Sequence, residues 1–291
     1  MQDQEIAVRV ERVVKRFDTH VAVDGVSFDV RRGSVFGLLG PNGAGKTTTI
    51  RMIMNIIAPD EGSIEILGKP LGETLATTIG YLPEERGLYR KMKVLDHTIF
   101  LGEIRGLSRA EARRRAEQWL VRLDLESWSK KKVEDLSKGM QQKIQFVGCV
   151  IHDPEILILD EPFSGLDPVN ARLLKELFLE FRDRGKTLIF STHVMEQAEK
   201  LCDEIALINR AKVVLHGAVQ EIRNRYSPNR LLLRGSADPE PLRRIAGVRD
   251  LKVSNGLVDV ELDPATPRAV FLREVTAVWP LESAVPHETS L

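Results

Sequence analysis

Val35-Phe36-Gly37-Leu38-Leu39-Gly40-Pro41-Asn42-Gly43-Ala44-Gly45-Lys46-Thr47 is the stretch that decides the fold. Its first part is a nearly continuous apolar run without polar alternation, as expected of a strand buried on both faces of a parallel sheet. The glycines that follow let the backbone curl so that successive N–H groups converge, and GxxxxGK[ST] directly after a strand is the pattern of a phosphate-cradling loop. A helix opening near Lys46 adds the positive end of its dipole. Lys46 is thereby placed to reach β- and γ-phosphates, and Thr47 to ligate Mg²⁺. Ile156-Leu157-Ile158-Leu159 and Thr187-Leu188-Ile189-Phe190 repeat the apolar texture, each followed by polar residues. Together the three runs read as central strands of a doubly wound α/β core. Ligands collect at the carboxyl ends of such strands, so Gly40, Asp160 and His193 are expected to face one crevice.

The flanking sequence divides by texture. Upstream, alternating apolar residues at Val8, Val10, Val26, Phe28 and Val30, separated by Asp24-Gly25 and closed by Arg32-Gly33, predict antiparallel strands and turns. Residues 96–149 are charged and helix-periodic, which predicts an inserted helical subdomain. Within it Ser108 and Glu111 form a capping-box pattern opening a helix from Arg109 to Leu123, with Ala112, Ala116, Trp119, Leu120 and Leu123 on one face. Arg113 to Arg115 and Lys130 to Lys132 read as solvated charge. Beyond the linker-like Tyr226-Ser227-Pro228-Asn229 a small α+β domain is expected: a strand at Leu231 to Leu233, a helix at Pro241 to Ala246, a hairpin around Asn255-Gly256, and a last helix from Pro267 through Val275. The expected division is 1–222 and 223–291.

Composition narrows the function. The 291 residues carry 42 basic and 42 acidic side chains, so no global charge favours nucleic acid. Cys149 and Cys202 stand apart from any metal-ligand spacing and read as reduced core residues. The charged start and the lack of an apolar stretch of about 18 residues predict an intracellular chain that must dock on another protein to serve a membrane process.

Ile156-Leu157-Ile158-Leu159-Asp160-Glu161-Pro162 ends a strand with adjacent acids beside the phosphate loop. Asp160 suits Mg²⁺, directly or through water. Glu161, if the chain turns at the strand end, suits the role of general base for attacking water. His193 suits a bridge from γ-phosphate to Glu161 through an imidazole N–H.

From about residue 5 to 220 the chain resembles the ATP-binding subunits of ABC transporters. Leu136-Ser137-Lys138-Gly139-Met140-Gln141-Gln142 looks like their signature LSGGQ, Ser164-Gly165-Leu166-Asp167 like the D-loop, and Ser191-Thr192-His193 like the switch-histidine strand end. The resemblance implies that Gly40, Pro41, Asn42, Gly43, Ala44, Gly45, Lys46, Thr47 and Thr48 bind ATP, with Phe17 stacked on adenine. It also implies that Ser137, Gly139 and Asp167 serve a site shared with a second copy, in a dimer sandwiching two ATP molecules. Two departures stand out. Lys138 and Met140 replace a glycine and a glutamine of the signature, and Glu84 in Tyr81-Leu82-Pro83-Glu84-Glu85 replaces the glutamine of the Q-loop, keeping an oxygen for Mg²⁺ or water but losing an amide donor. Arg86 to Met92 would belong to the surface that receives a permease. The resemblance extends to subunits paired with ABC-2-type permeases of sodium-export and drug-export systems, and so implies an ATPase on the inner face of the cell membrane that powers a separate permease. A soluble ABC protein acting on ribosomes or other complexes is the alternative, but such proteins usually carry two nucleotide-binding halves, and one P-loop is present here.

Overall fold

The computed structural model describes residues 6–72, 75–85, 87–226, 229–254 and 256–287. It divides into two compact units, residues 1–218 and 219–291.

The first unit opens with an antiparallel sheet. β1 (Ile6–Phe17) and β2 (His20–Arg31) form a long hairpin, joined on the other side of β1 by β4 (Glu61–Ile66) and β5 (Lys69–Pro70). The turn of this hairpin lies at Asp18-Thr19, not at Asp24-Gly25 as the sequence suggests. Asp24 and Gly25 instead sit inside β2 at a register shift, where pairing jumps from Val13–Val26 to Lys15–Val23, and Gly25 has a φ of 66°. A bulge and a turn call for the same residue types, which is why the sequence does not separate them.

The second sheet has the order β10-β9-β3-β8-β7-β6. β3 (Val35–Leu39), β6 (Ile79–Leu82), β7 (Ile156–Asp160), β8 (Thr187–Thr192) and β9 (Glu204–Asn209) run parallel, and β10 (Lys212–Ala218) closes one edge antiparallel. Every residue of β3, β7 and β8 is buried. Their side chains alternate between two apolar clusters. Phe36, Leu38, Ile156, Ile158 and Ile189 pack with α1 (Lys46–Ile53) and the antiparallel sheet. Val35, Leu157, Leu159, Leu188 and Phe190 pack with α3 (Val94–Glu103), α5 (Lys138–Val150) and α6 (Pro168–Asp183). Apolar cover on both faces accounts for the unbroken runs in the sequence.

A short α2 (Leu75–Thr78) leads into β6, and α7 (Met195–Leu201) follows β8. The helical insertion comprises α3, α4 (Arg109–Arg122) and α5. Half of the expected capping box forms: the Glu111 N–H donates to Ser108 Oγ at 3.3 Å. The Glu111 carboxylate is drawn instead to Arg114 and Arg115, which hold it at about 2, well below the usual range. Ala112, Ala116, Leu120 and Leu123 are buried, and Trp119 is half-buried against Phe146 and Phe181.

The second unit contains α8 (Val219–Tyr226), β11 (Arg230–Gly235), a 3₁₀ turn at Glu240–Arg244, β12 (Val248–Ser254), β13 (Leu257–Leu262), α9 (Arg268–Val278) and β14 (Leu281–Pro286). The antiparallel order β12-β13-β11-β14 is that of a split β-α-β-β-α-β unit. β14 extends the expected pattern by one strand, and the 3₁₀ turn stands where a helix is expected. The hairpin pairs Ser254 with Leu257, while Asn255 and Ser227-Pro228 of the expected turn and linker lie outside the described residues.

His97 on α3 is fully buried, and neither ring nitrogen has a hydrogen-bond partner among the described residues. Burial lowers its pKa to about 4, so the folded chain keeps the ring neutral where the unfolded chain protonates it. This contribution is complete above the ordinary value of 6.5 and is lost as pH falls towards about 4, at up to about 1.4 kcal/mol per pH unit. Denaturant midpoints of wild type and His97→Leu at pH values of about 7 and about 5 should show a smaller drop in the variant. Equal drops would mean that another group carries the dependence.

Candidate functional site

The parallel register brings the strand ends together. Leu39 pairs with Thr192, and Asp160 with Ser191, so the residues after β3, β7 and β8 emerge side by side. After β3 the loop turns through Gly40 (φ 149°), Gly43 (φ 77°) and Gly45 (φ 113°) into α1, whose N-cap is Gly45. The Gly40 N–H donates to the Thr192 carbonyl at 3.3 Å, and the Ala44 carbonyl accepts from the Ala211 N–H at 3.1 Å, anchoring both limbs. Two glycines are required by space as well as by φ. A Cβ on Gly40 would stand 2.1 Å from the Ile208 carbonyl oxygen, and one on Gly45 2.5 Å from that of Ala22.

A cavity of about 470 Å³ lies over this loop, lined by Phe17, His20, Ala22, Asn42, Gly43, Gly45, Lys46, Thr47, Thr48, Glu84 and Glu161. The Phe17 ring is exposed at its mouth, with Lys15 Nζ 5.7 Å from the ring centroid. Lys46 is buried, its Nζ donating to the Gly40 carbonyl at 2.7 Å and the Pro41 carbonyl at 3.2 Å, and lying 3.5 Å from Glu161 Oε1. A second cavity, of about 190 Å³, shares Glu84 and Glu161 and adds Asp160, Gln142, Gln145 and Ser164.

Glu161 reaches the site because its backbone is left-handed, with φ 48°. That conformation, uncommon for a residue with a side chain, ends the strand, and the carboxylate lies against Lys46 and His193. His193 Nδ1 lies 3.1 Å from both carboxylate oxygens of Glu161. A carboxylate only accepts, so Nδ1 carries the hydrogen, and Nε2 of the neutral ring is left as an acceptor. The bridge expected from the sequence therefore has its N–H committed to Glu161, and donation to a phosphate as well requires the imidazolium form.

Asp160 is 1% exposed; its Oδ1 accepts from the Ser191 hydroxyl at 2.5 Å, while Oδ2 is buried without a partner among the described residues. An unpartnered carboxylate oxygen beside a phosphate loop fits a divalent cation. Tyr81, on the neighbouring β6, is pushed up to about 12 by burial and by Asp160.

Ser137, Gly139 and Asp167 line neither cavity. Ser137 is the exposed N-cap of α5, its Oγ accepting from the Met140 N–H at 3.3 Å. Asp167 caps α6, and hydrogen bonds from Asn170 and Val169 lower its pKa. Gly139 abuts α6, where a Cβ would stand 2.3 Å from Asn170 Nδ2. The structure also brings in residues that the sequence pattern passes over. Gln145 Nε2 bridges the carbonyls on either side of Glu84, at Pro83 (3.1 Å) and Glu85 (3.3 Å), and Gln142 Nε2 donates to Pro162 at 3.1 Å.

A strand, a glycine loop, a buried lysine at the start of a helix and two acids on the next strand but one define a P-loop nucleoside triphosphatase. The model of the ABC transporter family matches residues 23–164. The chain is 44% identical over 243 residues to the ABC transporter ATP-binding protein YhaQ of Bacillus subtilis, covering 84% of this chain and 82% of that one. It is 37% identical to a Nod factor export ATP-binding protein of Paraburkholderia xenovorans, over 74% of this chain and 71% of that one. Among solved structures, an ATP-binding subunit of an ABC transporter superposes with a TM-score of 0.69 at 32% identity, covering 76% of this chain and 93% of that one. The chain belongs to the ATP-binding subunits of ABC transporters, a family that binds and hydrolyses ATP.

Gly45→Ala tests the loop geometry. The added carbon meets the Ala22 carbonyl at 2.5 Å in a φ that side chains avoid, so ATP affinity should fall by roughly tenfold or more. Titration with a fluorescent ATP analogue measures it, and unchanged affinity would show that the loop binds in another conformation.

Proposed function

We propose that this chain drives export through a separate membrane permease, with two copies of the chain closing on shared ATP sites at the inner face of the membrane. The relationship to a Nod factor export ATP-binding protein supports export. No helix among the described residues is long and apolar enough to cross a membrane, so the path for the exported substrate is assigned to a partner. The observation that carries the dimer is the separation of the site residues. Lys46, Thr47 and Glu161 line one cavity, whereas Ser137, Gly139 and Asp167 stand outside it on the N-terminal ends of α5 and α6. A second copy is the source of the missing donors: the Ser137 hydroxyl still has its hydrogen to give, and the α5 N-terminus favours an anion.

In this reading Phe17 offers its exposed ring to adenine, and the loop from Gly40 to Thr48 holds the phosphates through backbone N–H groups. Lys46 exchanges its loop carbonyls for phosphate oxygens. Thr47 and the free Oδ2 of Asp160 are the groups that would hold Mg²⁺, with Glu84 near enough to share in binding metal or water. Mg²⁺, when bound, offsets charge on the phosphate oxygens. Glu161 takes the proton of attacking water, and His193 holds that carboxylate in line through Nδ1–H. Gln145 keeps the Glu84 loop against α5, and of the expected permease surface from Arg86 to Met92, residues 87–92 follow on the same segment while Arg86 lies outside the described residues, which gives a permease at this surface a path to the site.

Glu161→Gln should bind ATP with affinity within about threefold of wild type and lower turnover roughly a hundredfold or more, since the amide cannot take up the proton. Lost binding would place Glu161 in the folding or metal-holding machinery instead. The shared site is tested by mixing Ser137→Arg with Lys46→Ala, with the permease present if dimerisation requires it. Each homodimer carries a defect in both sites, whereas the heterodimer has one intact site, so ATPase activity should reappear on mixing. Full activity of Ser137→Arg as a monomer would overturn the dimer. Recovery of the chain from cells without any integral membrane protein attached would overturn the permease assignment.

A further inference from the structure

In the sequence Ser191 is marked only as part of the strand end leading to His193, yet its hydroxyl stands between the two acids of the site. The residue is fully buried at the end of β8, directly beside Asp160 in the parallel register. Its Oγ–H donates to Asp160 Oδ1 at 2.5 Å. The same oxygen accepts the backbone N–H of Glu161 at 3.0 Å. One hydroxyl therefore donates to one and accepts from the other of two consecutive residues at the end of the neighbouring strand.

We propose that Ser191 is a positioning residue that sets the metal-facing oxygen of Asp160 and the backbone turn of Glu161 with a single hydroxyl. The inference rests on the roles given above to Asp160 and Glu161. Two constraints carry it. A buried carboxylate with one oxygen engaged cannot rotate freely, so the bond to Oδ1 leaves Oδ2, which has no partner among the described residues, as the oxygen presented to a cation. Glu161, meanwhile, holds a φ of 48°, which persists in a residue with a side chain only where the surroundings over-determine it. The hydrogen bond from its N–H to Ser191 Oγ fixes the first atom of that turn. The far end of the residue is fixed by His193 Nδ1 and faced by Lys46 Nζ. Without Ser191, Asp160 would be left with two unsatisfied buried oxygens, and the turn would lose its anchor on β8.

The test separates metal handling from folding. ATP affinity is measured with Mg²⁺ chelated, then as Mg²⁺ is restored, alongside turnover at saturating Mg²⁺ and the thermal midpoint. Ser191→Ala should bind Mg²⁺-free ATP within about twofold of wild type, because Lys46 and the loop from Gly40 to Thr48 are untouched. The Mg²⁺ concentration for half-maximal effect should rise roughly tenfold, and turnover at saturating Mg²⁺ should fall by a similar factor, as expected when a buried charged hydrogen bond is lost. Ser191→Thr, which keeps the hydroxyl, should restore the Mg²⁺ response more than Ser191→Ala does. An unchanged Mg²⁺ response and turnover in a folded Ser191→Ala protein would overturn the proposal. So would loss of Mg²⁺-free ATP binding in step with the thermal midpoint, which would mark the serine as part of the core only. Asp160→Asn is measured in parallel: if it leaves the Mg²⁺ response unchanged, the reading of Asp160 fails, whereas a response moved by Asp160→Asn but not by Ser191→Ala sinks the serine alone.

Discussion

The site depends on the parallel pairing of β7 with β8 and of β8 with β3, because that register decides which strand ends lie together. Asp160 stands beside Ser191, and Thr192 beside Leu39 just before the glycine loop. A slip of one residue would send Asp160 to the opposite face of the sheet and bury a different, apolar set in its place. Two apolar clusters oppose such a slip, since Leu157 and Leu159 face one and Ile156 and Ile158 the other. The precision of a site with an ammonium, two carboxylates and an imidazole is thus inherited from hydrocarbon packing on both sides of the sheet.

Local backbone conformation then does what regular structure cannot. A strand directs consecutive side chains to opposite faces, yet Asp160 and Glu161 both serve the same region. The left-handed turn at Glu161 resolves the conflict, at a conformational cost of order 1 kcal/mol that the surrounding hydrogen bonds offset. The loop from Gly40 to Gly45 resolves another: it must bring main-chain N–H groups close to an anion while packing against the Ile208 and Ala22 carbonyls, and a Cβ at either end would collide. Both departures from ordinary geometry fall where charge is to be handled, between strands and helices that are themselves regular.

The helical insertion is tied to this region by side-chain amides. Gln142 and Gln145 reach from one helix to the residue after Glu161 and to the carbonyls that bracket Glu84. Gly139, near the start of that helix, packs against Asn170, whose side-chain amide in turn holds Asp167. The N-terminal end of α5, the Glu84 loop and the start of α6 are therefore linked by short contacts. A displacement of one is resisted by the others.

The sequence by itself determined the kind of core and the chemistry it serves. Unbroken apolar runs at Val35 to Leu39, Ile156 to Leu159 and Thr187 to Phe190 required strands covered on both faces, and a glycine loop ending in Lys46-Thr47 required an anion. These are short-range signals, carried by residues within one strand or one turn. It did not determine that Asp24-Gly25 is a bulge, that the Glu111 carboxylate leaves its cap for two arginines, or that β14 completes the sheet of the second unit. Nor did it assign any role to Ser191 or Gln145. Each of these depends on a partner distant in the chain: Ser191 lies 31 residues from Asp160, and Gln145 62 residues from Pro83. Which distant groups meet is settled only when strand register and helix packing are complete, so the candidate side chains are marked by short local patterns and their alignment is decided by the tertiary structure.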